Sequence, residues 1–323
     1  MRRKVTMKTF GGRNKQVSKA GSLENRVKDR NTVMYLILLP SLIMVLIFNY
    51  LPLLGLVIAF QDFDAFSGIL GSPWVGFQNF IKIFTYPDFL KAIKNTFVYS
   101  AVNLFLGFPL PIILALLFNE ISNRPFKRVV QTISYFPHFL SWAAICSFVY
   151  ALFALEGPVN SALAALIGDS YVSKNILLDS KNFLAILFGV GQWQGIGWST
   201  IIYLAAISGI DGSLYEAAEI DGCNRFRMVT NITWPCIKGT AVLVLILGLG
   251  SLVTSNFEMV YGLQNAFIQQ DTEVINTLVY RQGIQGGEYS MATALGLMQG
   301  IVSLVIVFLA NKISKGVSGE SLW

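Results

Sequence analysis

Six stretches of this 323-residue chain are long and apolar enough to cross a lipid bilayer as helices. They cover residues 33–60, 95–117, 129–154, 182–208, 239–261 and 290–310, and Glu258 is the only charged residue within them. A helix needs about 20 apolar residues to span a hydrocarbon core about 30 Å thick. Each stretch is continuously apolar rather than alternating, which favours helices over the strands of a membrane barrel. The sequence therefore predicts an all-α membrane protein with six transmembrane helices.

The composition also favours lipid as the main solvent. Only 13% of the residues are charged, whereas a soluble domain carries about 25%. The first stretch, 33–60, follows a basic tail, as the apolar core of a signal peptide would. It is longer than such a core, and no small-residue cleavage site follows it, so we expect it to remain as the first helix.

Lys and Arg are distributed unevenly among the segments outside the predicted helices. The tail 1–32, the loops 118–128 and 209–238 and the C-terminal segment 312–323 hold 18 of them, and the other three loops hold six. Basic loops stay on the cytoplasmic side, so both termini are predicted to be cytoplasmic. We expect a basic tail at 1–32 that can contact anionic lipid, a membrane domain at 33–311 and a short tail at 312–323. The net charge of +6 therefore requires no nucleic-acid partner.

The cytoplasmic loop 209–238 has a patterned sequence that includes EAAEIDG at 216–222. Ala217 and Ala218 favour a helix, and Gly222 accepts the positive φ of a tight turn. Pro235 stands just before the fifth apolar stretch, where a proline starts a helix without losing a needed donor. The pattern predicts a short helix, a tight turn, a second short helix and re-entry into the membrane. An exposed hairpin of this kind suits docking on a soluble partner.

The stretch EAAEIDGCNRFRMVTNITWP resembles the EAA loop of permeases in binding-protein-dependent ABC importers, with Cys223 where the family often has Ala. The resemblance implies the type I ABC importer permease architecture. In that family the loop forms a coupling helix that sits in a groove of the ATP-hydrolysing subunit. By resemblance, the residues assigned to coupling are Glu216, Ala217, Ala218, Asp221, Gly222, Phe226, Ile232 and Pro235.

Most of the remaining chain is similar to permeases of the maltose-type carbohydrate group. The similarity rests on LLPSL and NYLPLL in the first helix, PHFLSW at 137–142, and the segment from NFE at 256–258 to TLVYR at 277–281. It is greatest for the subgroup that handles uronic or pectic oligosaccharides. The resemblance implies a permease of the bacterial cytoplasmic membrane that works with a second, different permease, two ATPase subunits and an extracytoplasmic solute-binding protein. ATP and Mg would be bound by the ATPase subunits, with no cofactor on this chain. Another small solute is the nearest alternative substrate.

Polar and aromatic residues recur inside the predicted helices, where they are costly unless they face protein or water. Asn95, Tyr99 and Asn103, for example, share one helical face. Aromatic faces together with amide and hydroxyl groups suit a saccharide, so these residues are candidates for a substrate path. Hydrogen bonding between helices is the alternative for each of them. The candidates are Tyr99, Asn103, Tyr135, His138, Trp142, Gln192, Trp193, Gln194 and Glu258.

Two further patterns carry structural predictions. Glu258 is expected near the outer end of the fifth helix, on one face with Ser251 and Ser255. A gate, a binding-protein contact and an ordinary interfacial charge all remain open for it. The spacing of Gly191 and Gly195 predicts tight helix packing.

The motifs of several other activities are missing from the sequence. No Gly-rich phosphate loop ends in GK[ST], so the chain is not itself the ATPase. No HExxH, G-x-S-x-G or carboxylate cluster occurs in the membrane stretches, so we predict neither catalytic residues nor a metal site. A stand-alone secondary transporter would need ion or proton sites near the midplane, and only Glu258 is available.

Overall fold

The computed structural model describes residues 33–168, 170–317, 319 and 321–322. The predicted basic tail at 1–32 lies outside the described residues. Helices dominate the described chain, and its β pairing is limited to an isolated antiparallel bridge between Gln61 and Trp74. The described chain divides into two units, one ending at Val57 and the other beginning at Ile58.

The described part of the first unit is helical. It belongs to the apolar span α1 (Val33–Phe60), which contains a π turn at Leu46–Tyr50 and a 3-10 segment at Leu51–Phe60. Pro52 lacks an amide N–H, and its ring crowds the carbonyl four residues earlier, so a regular α-helix does not continue through it. Every side chain from 33 to 54 is exposed within this chain.

The second unit consists of helices joined mostly by short connections. In chain order the helices are α2 (Gly68–Gly71), α3 (Gln78–Thr85), α4 (Pro87–Glu120), α5 (Arg124–Tyr135), α6 (Trp142–Phe153), α7 (Pro158–Ile167), α8 (Ser180–Ser208), α9 (Gly212–Ile220), α10 (Arg225–Leu249), α11 (Phe257–Leu263), α12 (Gln269–Thr272), α13 (Ile275–Leu278) and α14 (Tyr289–Val317). The described part of this unit contains three π turns, at Asn103–Gly107, Val229–Thr233 and Val279–Gln285, and 3-10 turns at Phe136–Phe139 and Ile176–Leu178.

Five segments of the described chain are long and apolar enough to cross a membrane: α1, α4, α6 with α7, α10 and α14. The predicted fourth crossing is α8, whose 29 residues extend over about 44 Å, more than the thickness of a hydrocarbon core. Gln192 and Gln194 lower its hydropathy. Since α8 contacts α4, α5, α10 and α11, much of its surface faces protein rather than lipid. The all-α membrane class is confirmed, and the structure is compatible with six crossings.

The predicted third helix is interrupted. Helix α5 gives way to a 3-10 turn that contains Pro137, Leu140 is extended, and α6 begins after Ser141. Pro137 cannot donate to the carbonyl four residues earlier, and the Ser141 hydroxyl caps the new helix by accepting from Ala144 N at 3.3 Å. Tyr135, His138 and Trp142, although spaced at i, i+3 and i+7, therefore do not share one helical face.

The predicted fifth helix also ends early. Helix α10 stops at Leu249, turns occupy 250–253, and α11 starts after Asn256, whose side chain accepts from Met259 N at 3.0 Å. Gly250 has a low helix propensity, and the Ser251 hydroxyl donates to the carbonyl of Gly248 at 2.7 Å. Glu258 is exposed in the first turn of α11. The prediction that Ser251, Ser255 and Glu258 share one face of a continuous helix is wrong.

Three clusters of buried side chains hold the second unit together. They are built around Met259 between α6, α8 and α11, around Leu295 between α3, α4, α13 and α14, and around Tyr203 between α4, α8 and α10. In lipid, helices associate through close packing and hydrogen bonds rather than through hydrophobic exclusion from water. The clusters do not fill the bundle completely. They leave open space next to α4, α8 and α10.

Candidate functional site

A helical hairpin made of α9 and the start of α10 forms the predicted coupling loop. Asp211 caps α9 by accepting a hydrogen bond from Ser213 N at 3.0 Å. This bond holds the pKa of Asp211 below its ordinary value. Asn224 caps α10 by accepting from Arg227 N at 2.9 Å. Both helices thus begin at a short polar side chain that satisfies an otherwise free amide.

Gly222 makes the turn between the two helices. Its φ is +73°, its N–H donates to Glu219 O at 3.0 Å, and the N–H of Cys223 donates to Ala218 O at 2.9 Å. A side chain in this left-handed conformation costs roughly 1–2 kcal/mol. Glycine is therefore favoured here although the surrounding space is open, and the predicted positive φ is confirmed.

The second half of the predicted hairpin is wrong in one respect. No separate short helix precedes the membrane, because α10 runs from Arg225 directly into the span and contains the π turn Val229–Thr233. Pro235 follows this turn. It cannot donate to the Asn231 carbonyl and its ring crowds that group, and the wider π turn accommodates both effects.

The hairpin is fixed on one side and exposed on the other. The hydroxyl oxygens of Tyr215 and Thr233 lie 2.8 Å apart and join α9 to α10. Arg225 lies 3.4 Å from the Glu120 carboxylate at the end of α4. Ile220 and Phe226 are 88% and 75% exposed. Large apolar side chains exposed together are typical of a docking surface.

Two adjoining cavities lie between α4 and α10, the first extending to residues 251–256 and the second facing α8. The first has a volume of about 470 Å³ and the second about 240 Å³, and both are lined by Phe108 and Val244. The first is also lined by Tyr99, Ser100, Asn103, Leu104, Gly248, Ser251, Leu252, Thr254, Ser255 and Asn256. The second is also lined by Gly107, Pro111, Gly191, Gln192, Gly195, Ile196, Ser199 and Tyr203. These lining residues carry amide and hydroxyl groups and no charge.

A hydrogen-bonded pair of amides lies where the two cavities adjoin. Gln192 Nε2 donates to Asn103 Oδ1 at 3.2 Å, and Asn103 Nδ2 donates to Tyr99 O at 3.1 Å. A Cβ at Gly107 would lie 2.6 Å from Gln192 Nε2, so glycine leaves the space that this amide occupies. Asn103 and Gly107 bound the π turn of α4. Pro109, which follows, removes a donor that a regular α-helix would use there.

The structure brings together only part of the predicted substrate path. Tyr99, Asn103 and Gln192 line the cavities. Gln194 lies on the opposite side of α8, because successive helical residues are about 100° apart. Its Nε2 donates to His138 O at 3.4 Å.

Two of the remaining aromatic candidates, His138 and Trp193, pack against other aromatic rings. The His138 ring stacks on Trp198 with centroids 4.5 Å apart, and Trp193 stacks on Phe148 at 6.2 Å. The other two aromatic candidates, Tyr135 and Trp142, are likewise absent from the described linings of the two cavities. For this group, the alternative of contacts between helices agrees with the structure.

Gly191 and Gly195 line the second cavity and do not lie at a close contact between helices. A Cβ at Gly195 would meet nothing within 4 Å, and one at Gly191 would make ordinary contacts of 3.6–3.8 Å. The prediction of tight packing at this pair is therefore wrong. The close approach occurs at Gly197, where a Cβ would overlap the Ser134 carbonyl group of α5.

A buried ion pair at Arg281 was missed by sequence reasoning. Arg281 Nη1 lies 2.7 and 2.9 Å from the two carboxylate oxygens of Glu273, and Arg281 Nη2 donates to Gln264 Oε1 at 3.0 Å. The Asn95 amide donates to the backbone carbonyls of Asp271 and Glu273, both at 2.9 Å. The two partners do not lie on one regular helix, because Glu273 precedes α13 and Arg281 lies in the π turn Val279–Gln285 that follows it. No sequence pattern indicated the pair.

Residues 107–318 match the family described as binding-protein-dependent transport system inner membrane component. The chain belongs to this family. The assignment confirms the resemblance carried by the EAA loop, and this inner membrane component is therefore a multi-pass membrane protein with a transport role.

The permease has relatives along most of its length. It is 43% identical over 290 residues to the polygalacturonan/rhamnogalacturonan transport system permease protein YteP of Bacillus subtilis, a match that covers 90% of each chain. It is 38% identical over 295 residues to protein LplB of Bacillus subtilis, covering 91% of this chain and 92% of that protein.

The solved structures include a close match in fold. A chain of the bacterial alginate ABC transporter, crystallised in complex with an alginate pentasaccharide-bound periplasmic protein, superposes with a TM-score of 0.83 at 35% identity. The match covers 92% of this chain and 99% of that chain. The predicted type I permease architecture is confirmed.

Proposed function

We propose that this chain is a permease subunit of an ABC importer for oligosaccharides derived from uronic or pectic polysaccharides. The observation that carries the proposal is the pair of uncharged cavities, whose amide and hydroxyl side chains suit the many hydroxyl groups of a sugar. Relatives whose names specify polygalacturonan/rhamnogalacturonan and alginate support the same class. Within the path, Tyr99, Asn103 and Gln192 are the predicted residues that we retain as substrate contacts.

The family assignment supports the following subunit composition as part of the proposal. The chain pairs with a second permease, and two ATPase subunits bind ATP and Mg and hydrolyse the nucleotide. An extracytoplasmic solute-binding protein delivers the sugar, as the periplasmic protein in the alginate complex suggests. Both termini and the α9–α10 hairpin lie on the cytoplasmic side, since the basic segments lie there. The chain itself is not catalytic.

The α9–α10 hairpin couples ATP hydrolysis to transport. We assign this role to the eight residues of the EAA loop, with Gly222 shaping the turn and Phe226 exposed for docking. The hairpin follows α8 in the chain and continues into the rest of α10. When ATP closes the two ATPase subunits, a rigid hairpin therefore transmits the motion to both of these helices. The helices on the two sides of the cavities then reorient, which exposes the path alternately to the outside and the inside.

Replacement of Gly222 tests the coupling role. A β-branched residue is strongly disfavoured at φ +73°, so Gly222→Val should displace the turn and reduce ATP-dependent uptake and co-purification of the ATPase subunit. Gly212→Ala is the matched control, because a Cβ at Gly212 meets open space without a positive φ. Normal uptake by the Gly222→Val transporter would show that the hairpin does not couple.

Uptake into proteoliposomes tests the substrate class. The complete transporter with its binding protein should accumulate labelled oligogalacturonides only when ATP is present on the ATPase side. Accumulation of an unrelated small solute without any oligosaccharide uptake would refute the proposed substrate.

A further inference from the structure

Three aromatic side chains form a cluster on α11 and the π turn that follows α13. The rings of Phe257 and Tyr261 are nearly parallel with centroids 5.2 Å apart, and the Tyr280 ring lies 5.1 Å from each of them. All three residues are only partly buried. We call this cluster the aromatic triad.

The aromatic triad adjoins the first cavity. Asn256 lines that cavity and caps α11, and Phe257 is the first residue of the helix. The other side of α11 packs on the core, where Met259 Sδ lies 3.7 Å from the position of a Cβ at Gly191. Gly191 lies about 17 Å along α8 from its first residue, Ser180. The triad therefore begins one residue after the cavity lining, on a helix whose other side packs on the core.

Arg281 holds the aromatic triad in place. Its guanidinium lies 5.3 Å from the centre of the Tyr261 ring and is also bound to Glu273 and Gln264. Since Glu273 neutralises this guanidinium, it is not free to pair with a substrate carboxylate. The exposed Glu258 on α11 adds a negative charge nearby. The arrangement therefore suits the face of a sugar ring better than its acidic group.

We propose that the aromatic triad is an oligosaccharide subsite that contacts the C–H face of one pyranose unit as the chain enters the first cavity. Aromatic faces are electron-rich and attract the weakly positive hydrogens of a sugar ring face, and the tyrosine hydroxyls can bond to sugar hydroxyls. The buried Ser255 hydroxyl in the adjoining cavity wall has no hydrogen-bond partner within the described chain, which is consistent with a polar ligand at this end. This subsite rests on the proposed function.

The test compares substitutions that keep volume with substitutions that keep the ring. In the reconstituted transporter, Phe257→Leu retains apolar packing but loses the aromatic face, and Phe257→Tyr retains the face. We expect Phe257→Leu to raise the oligosaccharide concentration for half-maximal uptake roughly 2- to 10-fold and Phe257→Tyr to leave it near wild type. Neutral and uronic oligosaccharides should be affected equally. Phe105→Leu, at a 73% exposed position that lines neither cavity, is the control and should change nothing.

The outcomes separate this inference from the proposed function. If the wild-type transporter takes up no oligosaccharide, the proposed function fails. If the wild type is active and Phe257→Leu has unchanged uptake, only the subsite is refuted. Loss of the second permease from purified Phe257→Leu complexes would also refute the subsite, because the triad would then be a subunit contact. Raised half-maximal concentration with intact assembly supports it.

Discussion

Gly197→Ala adds one methyl group at the closest approach of α8 and α5. The new Cβ would lie 2.5 Å from the carbonyl carbon of Ser134 and 3.1 Å from Tyr135 Cδ1, whereas ordinary contacts begin at 3.4 Å. The obstacle is backbone, which cannot rotate away, and the Ser134 carbonyl oxygen lies closer still, so the helices must separate. Overpacking of this kind costs about 1–3 kcal/mol.

The better helix propensity of alanine offsets about 1 kcal/mol of that cost. We expect a net loss of up to about 2 kcal/mol, which lowers the melting temperature by up to roughly 8 °C. The assay is thermal unfolding of the detergent-solubilised transporter, followed by intrinsic tryptophan fluorescence. Gly195→Ala makes the same chemical change two positions earlier on the same helix, where the Cβ meets open space.

The Gly195→Ala transporter should melt at or slightly above the wild-type temperature. Because both variants gain the same helix propensity, their difference isolates the contact between α8 and α5. Equal melting temperatures for Gly197→Ala and Gly195→Ala would refute the reasoning, and so would a Gly197→Ala transporter more stable than wild type.

Three other changes have expected outcomes. Arg281→Met should leave Glu273 buried without its partner and destabilise the transporter by about 3–5 kcal/mol. This loss should appear as a large fall in melting temperature. A small fall would show that water reaches the Glu273 carboxylate. Lys91 donates a hydrogen bond to Asp271 at 2.7 Å, which holds the pKa of Asp271 below its ordinary value. The stabilisation by this pair is therefore present above about pH 4. It is lost as the pH falls through the lowered pKa. The melting temperatures of wild type and Lys91→Met should therefore converge in acid, and a constant difference would contradict this. Tyr215→Phe removes the bond between α9 and α10 at a cost of about 1 kcal/mol and should speed amide hydrogen exchange in the hairpin, while unchanged exchange would show that the bond is not needed there.

The positions of the membrane helices were predictable because apolar length is a strong requirement of a bilayer. Their interruptions were not. Pro137 was visible in the sequence, but whether a proline bends or ends a helix depends on what else satisfies the freed carbonyl, and here a serine cap starts a new helix. The end of α10 at Leu249 depends similarly on the turn that Gly250 and Ser251 make.

The site was predictable in part for a related reason. The sequence pattern assigned Tyr99 and Asn103 to one helical face, and both line the first cavity. It did not show which face of α8 turns toward that helix, so Gln194 was grouped with Gln192 although only the latter lines a cavity. Local spacing places residues around one helix, whereas the rotation of one helix against another depends on contacts such as that at Gly197.

The exposure of α1 has a consequence for biogenesis. Its side chains from 33 to 54 are exposed within this chain and are nearly all apolar, so lipid or another subunit must cover them in the membrane. If the other subunits cover them, the lifetime of this protein should depend on co-expression with the rest of its transporter. Pulse-chase labelling of the chain alone and with its co-expressed subunits would measure that dependence, and equal half-lives would show that α1 needs no partner to survive.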